Sequence, residues 1–294
     1  MCIAVIILNY SQRFPLIVVH NREEDVYRET SSLVRRDNVL AAFDSKSGGV
    51  AAVGINVKTG TFAVLTNCRK AGGINTIGES RGKLVQEIIE DLNPDIAGRI
   101  FQGGFHLIKG NAFINDSINI QYLTNLESSI YTQVDISDSK DLKIIVIMNN
   151  HAVSQRDWAP KLEYVKRELL VQVAHHPHIQ SERDLTELIM SVLSQTGDIL
   201  PPLSSNFDWS PNPGAEKKIQ RCIIVPPTQI GIASVFGTIS QTVFLTDAFS
   251  RQVVYKYREA VDFSRKRTHF SDWDERVISY YSSFASLSFS DCAG

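Results

Sequence analysis

Apolar, largely β-branched residues run from Cys2 to Leu8 and again from Pro15 to Val19, with the polar Asn9 to Arg13 between them. Two such runs across a short polar gap predict a hairpin of buried strands at the start of the chain. The charge-rich stretch from Asn21 to Asn38 reads as a loop, and Gly49 to Val57 and Thr61 to Thr66 flank Lys58-Thr59-Gly60 as a second hairpin. Leu84, Ile88 and Leu92 fall on one helical face. That spacing predicts an amphipathic helix over Lys83 to Leu92, broken at Pro94 before another short helix. Strand-like runs return at Phe105 to Lys109, Ile118 to Leu123 and Leu142 to Met148, followed by helical periodicity over Asp157 to Ala174 and Arg183 to Ser194. Further strands are expected at Cys222 to Val225, Thr242 to Leu245 and Val253 to Tyr257.

Around ten strands with helices in a middle block suit an α+β chain of two sheets between helical layers. Pro201-Pro202 through Pro211-Asn212-Pro213-Gly214 holds too many breakers for a regular element, so a long loop is placed at about 198–219. The rest reads as a single domain over residues 1–278, and the Ser-rich 279–294 as a frayed tail.

With 294 residues, 43% hydrophobic and a net charge of −2, the chain can bury a large core but lacks the basic footprint of a nucleic-acid binder. No apolar run reaches the roughly 18 to 20 residues of a bilayer span. Four cysteines without metal or CxxC spacing point to a reducing compartment, with the cytosol as the default. His175, His176 and His178 form a triplet at a helix end; Pro177 between them favours solvated surface over a metal site.

The chemistry concentrates at the first residues. Removal of Met1 would leave Cys2 with a thiol and a free α-amine of reference pKa about 7.7 to 8, a nucleophile and its own base in one residue. The second strand leads into Asn21-Arg22-Glu23-Glu24-Asp25, which a tight hairpin brings to the same end as Cys2. A guanidinium there lowers a thiol pKa, and the acids can hold an amine. His20, His106 and His151 are isolated and read as structural.

These residues form part of a wider pattern. Met1-Cys2-Ile3, Asn21-Arg22-Glu23-Glu24, Leu65-Thr66-Asn67, Arg81-Gly82, Asn149-Asn150 with Trp158-x-Pro160-Lys161, and Phe236-Gly237-Thr238 occur in order over residues 1 to about 258. In this the chain resembles the NRDE-motif family, whose animal members are the transport and Golgi organization proteins. The resemblance implies a four-layer αββα sandwich like that of the N-terminal nucleophile hydrolases. It also implies Cys2 as nucleophile, Arg22 beside it, Asn67 and Asn150 as oxyanion donors, and either Asp25 or Glu24 as the partner of the α-amine. Two readings follow. One is binding of a small amphipathic ligand, haem or an acyl lipid as cargo, in a cleft above Cys2, with a role in haem or lipid trafficking and Golgi or secretory homeostasis. The alternative is an N-terminal cysteine amidohydrolase acting on a linear C–N amide without a cofactor. Glu23 stands where the family pattern has Asp, Ala51 where it has Trp, and Ile239 where it has Arg. A roomier pocket and a changed ligand are the expected consequences.

Overall fold

Residues Ile3 to Leu8 pair on both sides and are at most 1% exposed, which is why this run carries no polar side chain. The computed structural model describes residues 2–68, 78–92, 94–96, 98–114, 118–125, 132–135, 141–149, 160–197, 219, 221–230, 234–262 and 268–280. In these, β1 (Ile3–Leu8) lies between β2 (Leu16–Asp25) and β10 (Lys143–Met148), antiparallel to each. Beyond β2 come β12 (Val235–Asp247) and β13 (Gln252–Asp262). The short β11 (Thr228–Gln229) pairs with β12, and β14 (His269–Phe270) and β15 (Asp274–Ser279) pair with β13.

The second sheet is a meander of neighbours: β3 (Val34–Arg36), β4 (Val39–Phe43), β5 (Val50–Asn56), β6 (Thr61–Cys68), β7 (Gly104–Asn111), β8 (Ile120–Thr124) and β9 (Thr132–Asp135). Alternation assigns each strand face. Ala4, Ile6, Leu8 and Val18 meet Phe62, Val64 and Ile108 in the core between the sheets. Ile3, Val5, Ile7 and Val19 face the other way, onto Val165 and Leu169 of α2 (Pro160–His175) and Leu185 and Ile189 of α3 (Glu182–Leu193). Ala63 and Leu65 of the second sheet pack outward on Leu84, Val85 and Ile88 of α1 (Arg81–Ile89). The layers are therefore helix, sheet, sheet, helix, as expected from the sequence.

One contact explains two glycines. A Cβ on Gly49 would lie 2.5 Å from the Gly82 carbonyl carbon, and one on Gly82 would lie 2.8 Å from the Val50 oxygen. The first turn of α1, capped by Ser80 accepting from the Gly82 amide, thus rests directly on the start of β5. Gly49→Ala is expected to cost about 1–3 kcal/mol by overpacking, read as a lower denaturation midpoint; an unchanged midpoint would mean that α1 shifts freely.

Several expectations need correction. Asn21 to Asp25 are strand rather than loop: β2 pairs with β1 as far as Asn21 and with β12 as far as Asp25. Their polar side chains disguised this, because Asn21, Arg22, Glu23 and Asp25 each find a tertiary partner that local sequence does not show. The same stretch hides the β3–β4 hairpin. No helix follows Pro94 among the described residues, and Cys222 to Val225 make a single bridge, Ile224 with Thr196, instead of a strand. Tyr280, assigned to the tail, is buried in the inter-sheet core. The long loop up to residue 218, Asn150, His151, Trp158 and residues 281–294 lie outside the described residues.

Candidate functional site at Cys2

Cys2 immediately precedes β1, held between the ends of its two neighbours. Its carbonyl accepts from the Asn149 amide (3.3 Å), just past β10. Its Sγ lies against the Glu23 main chain, 3.3 Å from the amide that donates to it and 3.5 Å from the carbonyl. The side chain is buried, and burial pushes the thiol above its usual range; the chain's amino group, Arg22 and Lys161 pull it down, Glu24 pushes it up. The thiol is mostly protonated at neutral pH.

Arg22 lies at this end, as the hairpin required, but its guanidinium is committed elsewhere. It binds Asp44 at 2.7 Å and Thr30, so it acts on Cys2 through its field. Asp44 also takes Arg28 and the Ser47 amide. Although burial opposes ionisation, these partners hold its carboxyl below the ordinary range. Glu24 pairs with Arg28 at 3.6 Å, and Asp25 accepts from the Tyr27 amide and the Ser234 hydroxyl. Glu23 points to the helical side, where Lys161 of α2 meets its carboxylate at 3.1 Å with both side chains at most 2% exposed. Burial draws the Lys161 ammonium down to about 7, against the fields of Cys222 and Cys2. Ile239 sits at the irregularity where the β12 register slips opposite Glu23 and Arg22, and Ala51 packs against the inter-sheet core.

Strand parity decides which residues share the face of Cys2. It continues the Ala4 and Ile6 row, toward the second sheet. His20 follows Leu16 and Val18 on the same side, Thr66 follows Phe62 and Val64, and Asn149 follows Ile145 and Ile147. Asn67 has the parity of Ala63 and Leu65 and pairs with Phe105, which places it on the α1 side. Thus three residues to which the sequence assigned no catalytic role share the inter-sheet face of Cys2, with the Asn149 amide bonded to its carbonyl and His20 paired opposite Ala4. Each stood in or beside a segment already noted, and alternation counted from Val64 marks Thr66.

Their polar atoms are unusual. His20 Nε2, Thr66 Oγ1 and Asn149 Oδ1 are buried with no hydrogen-bond partner among the described residues. The Leu65 main chain across the sheets favours the charged form of the His20 ring but does not offset its burial. Burial, helped by Arg22, lowers the His20 pKa to about 3, so the ring stays neutral. The histidine triplet is exposed at the end of α2, and among the described residues no group of three His, Cys, Asp or Glu side chains is placed to hold a metal.

Fold and site together define an αββα sandwich protein whose Cys2 thiol sits at one end of the inter-sheet core. The Transport and Golgi organisation 2 family model matches residues 1–259, and the chain belongs to that family. Comparison with curated proteins returns no match. Among solved structures, a Caenorhabditis elegans N-acylethanolamine-hydrolyzing acid amidase ortholog is similar with a TM-score of 0.46 and 11% identity, covering 83% of this chain and 92% of that one. No helix among the described residues is long and apolar enough to cross a membrane.

Proposed function

We propose that this chain binds a small amphipathic ligand at the Cys2 end of the inter-sheet core, as cargo in haem or lipid trafficking rather than as a substrate. The cradle of His20, Thr66 and Asn149 supports this reading most. Native interiors leave few buried polar atoms unpaired, and those left are commonly met by water or ligand. A neutral imidazole offers the lone pair of one ring nitrogen to an N–H or O–H of the ligand, or to haem iron. A protonated, enclosed thiol is a poor nucleophile.

The alternative is amide hydrolysis, and the fields of Arg22 and Lys161, which favour the Cys2 thiolate, speak for it. In that reading Sγ attacks the carbonyl carbon of a linear amide, the C–N bond breaks as the amine leaves with a proton, and water then releases the acyl group from Sγ. Asn150 and Glu24 or Asp25 keep the roles the family resemblance implies, whereas Asn67, turned to the α1 side, is not placed as the oxyanion donor expected of it. Titrating the full chain with haem and with a fluorescent acyl amide, while following intact mass, separates the two. Saturable binding that weakens about tenfold or more in a His20→Phe, Thr66→Val double variant, with no acyl increment, is the expected result. An acyl adduct absent from Cys2→Ala would replace binding by hydrolysis, and no saturable binding of either probe would end the cargo reading.

A further inference from the structure

An opening lies at the end of the sandwich opposite Cys2. Ile278 of β15 pairs with Val253, Val253 with Thr246, Thr246 with Leu16, and Leu16 with Leu8. That registers it with the far end of β1, about 20 Å along the strand direction from Cys2 at roughly 3.4 Å per residue. Here the outer strand of the first sheet meets the β3–β4 hairpin of the second around a cavity of about 910 Å³. Its floor is apolar: Leu33, Leu40 and Ile278 are 2%, 4% and 8% exposed and belong to the inter-sheet core. Val57 and Val277 form walls, and Val277 is 52% exposed, a large apolar surface for an edge strand.

The rim is basic. Arg35, Lys58 and Arg276 line it. Arg276 is already neutralised by Asp274 at 2.9 Å. Glu275 of the same strand is engaged with Lys256 at 3.1 Å. Arg35 spends only its Nε–H, on the Asp37 main-chain oxygen at 2.7 Å. Among the described residues neither Arg35 nor Lys58 forms an ion pair. An apolar floor under two uncompensated cations complements a molecule with an apolar chain and an anionic head, and the volume falls within the roughly 300–1,000 Å³ of small-molecule sites.

We propose that this cleft binds a long-chain carboxylate, the chain over Leu33, Leu40 and Ile278 and the head between Lys58 and Arg35. It is a different site from the Cys2 cradle, whose free acceptors call for a donor or a metal ion instead of an anion, and it stands whether or not that site binds cargo. The test titrates the full chain with cis-parinaric acid and with its methyl ester, by fluorescence. Saturable binding of the acid is expected, weakened about tenfold in the ester and again in an Arg35→Glu, Lys58→Glu double variant. Both side chains are exposed, so the variant keeps the fold, which its circular dichroism spectrum checks. Equal affinity for acid and ester, indifference to the charge reversals, or binding only to phosphatidylserine vesicles and not to the free acid would each overturn the proposal. So would loss of binding on alkylation of Cys2 with the double variant unchanged, because the ligand would then sit at the opposite end.

Discussion

Lys161→Met is expected to destabilise the chain by about 3–5 kcal/mol, the cost of breaking a buried ion pair by removing one of its members. The Lys161 ammonium and the Glu23 carboxylate are 3.1 Å apart at 2% and 0% side-chain exposure, so water cannot take over from the missing partner. The reverse change is milder. Glu23→Gln leaves a lysine whose pKa burial has already drawn to about 7, and it sheds its proton instead of staying charged. The double variant Lys161→Met, Glu23→Leu should recover most of the loss, since apolar pairs of similar volume replace buried ion pairs at little cost. Urea unfolding of the four proteins reads all three expectations, and a Lys161→Met loss below about 1 kcal/mol would show an exposed pair instead. The same variant should speed alkylation of Cys2, because Lys161 ties α2 to the residue whose main chain encloses Sγ.

His20 should make the protein acid-sensitive in a defined window. Its folded pKa of about 3 lies below its ordinary 6.5. Below 6.5 the unfolded chain takes up a proton that the folded chain refuses, so the contribution is complete above pH 6.5 and is lost as pH falls toward 3. At pH 5 the loss is about 2 kcal/mol, from 1.5 pH units at 1.36 kcal/mol each. In His20→Gln this part of the acid slope disappears, so the stability gap between variant and parent narrows on acidification. Equal slopes from pH 7 to 5 would mean that the ring is protonated in the folded protein and that Nε2 is no free acceptor.

The sandwich was legible because its central strands are written as unbroken apolar runs, and α1 and α3 as apolar faces at helical spacing. The polar half of β2 was not. Asn21, Arg22 and Glu23 look like loop residues until Leu193 and Gln241, Asp44, and Lys161 are brought to them by the fold. The site was legible in part for the same reason. Cys2 and Arg22 follow from the hairpin, whereas the partner that occupies Arg22 stands 22 residues further on, in a segment with no chemical signature of its own.

The order of apolar and polar residues determined the layers of this protein, since burying each strand face leaves little freedom in what must lie on it. It also determined that the thiol of residue 2 and the guanidinium of residue 22 share one end of a hairpin. Tertiary structure alone decided which polar groups are spent and which remain available. Hydrogen bonding and charge pairing act over a few ångströms between segments distant in sequence, so only the folded chain shows that Arg22 is taken and that Nε2 of His20 is not.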